Sequence, residues 1–147
     1  MLNLLNGGSM QEQQASDFTF EIAKQPLFQS LPVDAVADIC VQGIVGKFED
    51  GEELIHENET NLSLFLILEG KARVVMNGTQ VAVISDGEII GEISVSRTSM
   101  PLASVTAVGE LSAVIFPAIA IQDLMVKYED FAKTIKKMAL ARVYNPS

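Results

Sequence analysis

The sequence predicts an α+β domain in which an antiparallel β-sandwich or barrel is flanked by helices at both ends. Three observations predict it. The hydrophobic period is helical from Asp17 to Cys40, breaks into short β-rich runs from Val41 to Phe116, and is helical again after Pro117. Turn residues punctuate the middle at Gly51, Asn58, Asn61, Gly70, Asn77-Gly78, Gly87, Gly91, Pro101 and Gly109, the rhythm of many short strands. The 147 residues, 48% apolar and 20% charged, suffice for one core and leave no room for two.

Residues 1–16 are polar, rich in Gly and Gln and aperiodic, which predicts a mobile leader with Met10 as an alternative start. The domain is expected over 17–147, with helices in 17–40, strands in 41–116 and helices in 117–147. Phe18 and Ile22 mark a first short helix that breaks at Pro26, and Val36, Ile39 and Cys40 mark a second that starts near Pro32 and Asp34. Ser63–Leu68 is a continuous apolar run that predicts a central strand covered on both faces and ended by Glu69-Gly70. The clearest hairpin is Lys71–Ile84, where Asn77-Gly78 supplies the two positive φ values of a tight turn. After Pro117, Ile121, Leu124, Met125 and Tyr128 form one helical stripe and Phe131, Ile135 and Met138 the next, with a bend at Glu129-Asp130.

Composition excludes several functions. The net charge of −9 disfavours nucleic acid as a partner, because phosphate binding needs a basic surface. Charge is uneven: residues 1–123 carry five basic and seventeen acidic side chains, residues 124–147 five and two. Lys127, Lys133, Lys136, Lys137 and Arg142 are expected to line the solvent face of the last helix. No apolar stretch reaches the roughly 20 residues of a membrane span, and Met1–Met10 has no basic residue ahead of its leucines, which is wrong for a secretion signal; a cytoplasmic chain is expected. The single cysteine, Cys40, excludes a disulfide framework and reads as a buried small hydrophobe. The single histidine, His56, is accompanied by no Gly-x-Ser-x-Gly elbow, which argues against hydrolysis; with Glu57 and Glu59 it is a poor metal set and reads as a strand-end residue in a polar turn.

The informative segment is Asp86–Val95. A glycine before a short helical turn lets backbone N–H groups face outward, where they can hold an anion, and Gly91 stands at such a place. Glu92 beside it would repel a phosphate and is better suited to accept a hydrogen bond from a sugar hydroxyl.

The order Phe48-x-x-Gly51-x-x-Leu54-Ile55, Leu64–Val74, Asp86-Gly87-x-Ile89-Ile90-Gly91-Glu92-Ile93-Ser94 and Ala103-Ser104-Val105-Thr106-Ala107 closely resembles the cyclic-nucleotide-binding domain family. The likeness covers about Phe28 to Val143. It implies an antiparallel β-roll, jelly-roll-like, flanked by N-terminal and C-terminal helices and holding a phosphate-binding cassette. The resemblance implies that Gly91 and the amides of Ile93 and Ser94 face the cyclic phosphate and that Glu92 accepts the ribose 2′-hydroxyl. Val74, Val81 and Ala82 would wall the nucleoside, with Ile90, Leu102 and Ala103 also at the pocket and Met138 or Leu140 on a closing lid helix.

The chain departs from the family at one point. Counting back from Val105-x-Ala107 places Pro101 where the family delivers an arginine to the phosphate, and neighbouring Leu102 is apolar as well. Arg97, in the same loop, is the candidate substitute. Two functions remain open on these residues. One is a standalone regulatory domain, without catalysis, that binds cAMP or cGMP and signals to a separate protein. The other is a degenerate, non-binding interaction or dimerisation module. The stripe of Phe131, Ile135 and Met138 is expected either to pair with its twin in a homodimer or to pack within its own chain. No cofactor beyond the nucleotide is expected.

Overall fold

The structure is a computed structural model and describes residues 12–91 and 103–144. A 3₁₀ turn at Ala15–Phe18 leads into helix α1 (Thr19–Ala23), and a second turn at Pro26–Phe28 precedes α2 (Val33–Val41). Pro32 caps α2 in an extended conformation, its fixed φ of −61° opening the helix where the sequence predicts. Ala35, Val36, Ile39 and Cys40 are the buried face of α2, at the expected helical spacing.

The first 16 residues do not all belong to a leader. Glu12–Gln14 form strand β1, antiparallel to β2 (Ile44–Phe48), and Ala15 is fully buried. The pairing is through backbone groups at a sheet edge, so this three-residue strand carries no apolar alternation that sequence reading could detect.

Strands β3 (Glu53–Ile55), β4 (Ser63–Met76), β5 (Thr79–Ser85) and β6 (Ile89–Gly91) follow. Strand β7 (Ser104–Pro117) closes the sheet, with order β1-β2-β7-β4-β5, β3 pairing β7 and β6 pairing β4. The β4–β5 hairpin turns at Asn77 (φ 52°) and Gly78 (φ 79°), as the sequence predicts.

Glu69-Gly70 does not end a strand. β4 runs through it, with register shifts against β7 on both sides of Glu69. Gly70 sits at φ 112°, and a β-carbon there would lie 2.6 Å from the Glu110 carbonyl oxygen. A glycine that signals a strand end locally here makes a bulge that bends the strand. Beyond the bend, Lys71–Val75 pair with Ser104–Val108; before it, Ser63–Ile67 pair with Ala113–Pro117. The sheet thereby folds into two halves that enclose a roll.

Each half has one use for its faces. Phe65, Ile67, Ala72, Val74, Ala82, Ile84, Ile90, Val105 and Ala113 fill the roll interior. Leu64, Leu66, Val45, Val114 and Phe116 point the other way, into a second core shared with the helices. Ser63–Leu68 is thus the central strand covered on both faces that its continuous apolar run predicts.

Helices α3 (Ala118–Lys127) and α4 (Glu129–Tyr144) meet at Tyr128, whose extended backbone (φ −125°, ψ 101°) makes the bend expected beside Glu129. Of the two uses open to the α4 stripe, Phe131 and Ile135 take the intramolecular one: both are fully buried in the helical core. The Phe131 ring stacks on Phe28 at 5.8 Å, and Phe28 meets Phe116 edge-on at 5.7 Å. Cys40 is buried, as expected, and burial raises its thiol pKa against the lowering effect of a hydrogen bond with Thr19. Among the described residues no helix is long and apolar enough to cross a membrane.

Candidate functional site

Strand β6 places the first site residues. It pairs with β4 in the register Leu64↔Gly91, Phe65↔Ile90 and Leu66↔Ile89. Strand alternation sends Ile90 into the roll and Ile89 into the helical core, both nearly fully buried. Gly91 follows at φ 118°, and a β-carbon there would collide with the Ser63 carbonyl oxygen. The backbone therefore requires glycine at 91 whatever else the residue does.

The roll wall opposite is built by the β4–β5 hairpin. Val74 faces Ala82 across the pair in the roll core, and Val81, displaced by a register shift between Val74 and Val75, is partly buried against that core. Ala103, half-buried ahead of β7, packs against the same core. Five residues chosen from sequence, Val74, Val81, Ala82, Ile90 and Ala103, thus share one apolar cluster, the first, third and fourth buried in it and Val81 and Ala103 partly buried against it. That cluster carries no charge of its own. Glu92, Ile93, Ser94, Arg97, Pro101 and Leu102 lie outside the described residues, as does the side chain of Leu140. Met138 is half-buried against the helical core.

The β3–β4 connection passes beside Gly91 and is bonded to Ser104. Asn61 Nδ2 donates to the Ser63 carbonyl at 2.9 Å, beside Gly91. The Glu57 backbone N–H donates to Ser104 Oγ at 3.0 Å. Ser104 is 8% exposed, a buried polar side chain whose hydroxyl is satisfied only through this loop contact among the hydrogen bonds described. Sequence reading missed this link, since it joins residues 47 positions apart.

His56 sits at the end of β3 in the polar turn predicted for it, where Asn58 adopts φ 70°. Its Nδ1 lies 2.7 Å from the Glu57 carbonyl and so carries the proton. That hydrogen bond raises the imidazole pKa, and the carboxylates of Glu53 and Glu59, each 3.9 Å away, add to it. The described residues contain no group of three or more ligating side chains suited to a metal ion.

Two open clefts of about 440 and 480 Å³ share Lys47, Glu69 and Ser112 on the outside of the bend. Glu49 and Glu110 line the first and Glu21 and Asp86 the second, a setting hostile to phosphate. Neither includes a residue of the predicted pocket.

With this geometry in place, the comparison that decides the family is a match of residues 45–128, more than half of the chain, to the profile of the cyclic nucleotide-binding domain. The chain belongs to that family. A search of curated protein sequences finds no match. Solved cyclic nucleotide-binding domains share the fold. The regulatory subunit of a cAMP-independent protein kinase A from Trypanosoma brucei is 18% identical with a TM-score of 0.75, over 89% of this chain and 50% of that one. A variant of that subunit with three substitutions, one of them threonine to arginine, is described as bound to cAMP in its A site. A cyclic nucleotide-binding domain from Methylobacillus flagellatus is 20% identical with a TM-score of 0.71, over 92% and 82%. The regulatory domain of Toxoplasma gondii PKA, crystallised with cAMP, is 15% identical with a TM-score of 0.70, over 84% and 50%. The chain spans about half the length of these kinase regulatory structures.

Proposed function

We propose that this domain is a cytoplasmic regulatory module, without catalysis, that binds cAMP or cGMP weakly in its β-roll and passes the bound state through α4 to a separate protein. The observation that carries the reading is the gathering of Val74, Val81, Ala82, Ile90 and Ala103 in one apolar cluster inside the roll, with Gly91 next to Ile90 on β6. A purine or ribose ring rests on that cluster. Gly91 and the amides of Ile93 and Ser94 hold the phosphate, Glu92 accepts the ribose 2′-hydroxyl, and Arg97 supplies the positive charge that Pro101 does not.

The route to α4 runs through adjacent residues. Ile90 lines the roll while Ile89 packs in the core that holds Phe131 and Ile135 of α4. A shift of β6 on binding is felt by α4 because a close-packed core transmits displacement instead of absorbing it. Binding then biases α4 only to the extent that ligand prefers one arrangement.

Weak affinity follows from Pro101. A charge-assisted hydrogen bond is worth roughly 1.5–3 kcal/mol, so its absence lowers affinity by about one to two decades. Titration calorimetry with cAMP and with cGMP tests the reading. Saturable binding below about 1 mM is the expected result. No binding by either nucleotide at that concentration overturns it.

A second reading has its own support. The Trypanosoma brucei subunit, a fold relative, belongs to a cAMP-independent protein kinase A, and its cAMP-bound variant carries a new arginine. With Pro101 at the arginine position, the same fold serves as a non-binding interaction module. Failure of the calorimetric test selects this alternative.

A further inference from the structure

The half-sheet formed by β3, β7, β4 and β5 has the roll on one side, and its outer face carries no helix layer among the described residues. Its outer edge is β5, Thr79–Ser85, seven residues with neither a charge nor a proline and with no strand paired to its far side among the described residues. Sheet edges left open to solvent are ordinarily short, charged or proline-bearing, because bare N–H and C=O groups recruit another strand. The other short strands here, β1, β3 and β6, have three residues each. β5, at seven residues, is longer than any of these and unprotected.

The face beside the middle of this edge is apolar and cationic, while Glu69, Asp86 and Glu110 gather at its bend end. Val83 is 51% exposed, Val108 41% and Met76 36%, large for residues within a sheet. The register Val83↔Arg73↔Thr106↔Glu53 runs across the four strands, and Ser85↔Lys71↔Val108 runs parallel to it. Arg73 and Lys71 are therefore neighbours on the exposed face of β4, one strand in from the edge, while the nearest acidic residue of that row, Glu53, lies at the opposite border. Neither cation pairs with a carboxylate among the described residues.

We infer that β5 is a docking edge for an extended acidic segment of a partner protein, added as a further strand with its outward carboxylates turned to Arg73 and Lys71. An added strand lies about 10 Å from β4, a distance long basic side chains can cover by laying their stems over Val83. Backbone pairing supplies attachment and the two cations select charge. A second copy of this chain suits the edge poorly: its own β5 has no carboxylate, and pairing two such edges would gather four cations on one surface.

The test uses the whole chain and a blocked octapeptide alternating glutamate and threonine, with amide hydrogen exchange read over residues 79–85. Exchange there is expected to slow at least about tenfold at millimolar peptide, an effect that weakens as salt rises from about 0.05 to 0.5 M. Combined Lys71→Glu and Arg73→Glu substitution should lower peptide affinity at least about tenfold. These residues are exposed, and retained circular dichroism verifies the fold. The inference is overturned by unchanged exchange, by equal slowing with a lysine–threonine peptide, or by slowing that needs only higher protein concentration. The last outcome assigns the edge to a second copy. Nucleotide binding enters none of these readouts.

Discussion

The carbonyl oxygen of Ser63 occupies the space into which a β-carbon on Gly91 would project. With φ at 118°, residue 91 is in backbone territory that L side chains rarely adopt, so glycine is required twice over. Gly91→Ala should therefore destabilise the nucleotide-free protein by at least about 2 kcal/mol, read as a lower urea midpoint. Unchanged stability with weakened nucleotide binding would reassign the glycine to the ligand alone.

Phe131 is the keystone of the helical core. It is fully buried, stacks on Phe28, and shares its core with Ile89 of β6. Phe131→Ala removes a large side chain from a close-packed site and should cost about 3–5 kcal/mol by chemical denaturation. Phe131→Leu refills most of that volume and should recover more than half of the loss. Equal losses for both would show that ring stacking, and not volume, dominates.

Signals confined to neighbouring residues were legible in sequence. Asn77-Gly78 specifies its own turn, and Leu64–Ile67 declare a strand covered on both faces without outside help. Gly70 was not legible because a strand end and a bulge use the same residue, and what separates them is the backbone of Glu110 and Leu111, forty positions on. β1 was invisible because Glu12–Gln14 pair through main-chain groups. In the site, Val74, Val81, Ala82, Ile90 and Ala103 came from family resemblance; alternation alone marks them as core. The Glu57–Ser104 bond had no local signal, since either residue alone is an ordinary loop or strand residue.

His56 gives the chain a pH dependence of known sign. The Glu57 carbonyl, and after it the charges of Glu53 and Glu59, raise its pKa in the folded state above the ordinary imidazole value. The folded chain then binds the proton more tightly than the unfolded one, so the stabilisation is fully present below about pH 6.5 and is lost as pH rises through the higher folded value. Urea midpoints measured between about pH 5.5 and 8 should fall with rising pH, modestly because the ring is exposed. As the only histidine, its replacement in His56→Gln should flatten the slope. A slope that persists in the variant would place its origin elsewhere.

On the proposed reading, Pro101 is the position whose substitution should tighten nucleotide binding. In the proposed site the apolar residues Val74, Val81, Ala82, Ile90 and Ala103 would supply contact but no counter-charge, and Lys71 and Arg73 are turned to the outer face of the sheet. Pro101→Arg returns a guanidinium to the place at which the family resemblance expects one, and a charge-assisted pair there should tighten cyclic nucleotide binding by about 10- to 100-fold. If Arg97 already holds the phosphate, Arg97→Ala weakens binding several-fold in the native chain and much less once Pro101→Arg is present, because the two cations would serve one anion. Calorimetry on the four proteins of this cycle measures both effects. Equal losses in the two backgrounds would place Arg97 away from the phosphate, and no gain from Pro101→Arg would show that more than the arginine separates this pocket from a tight one.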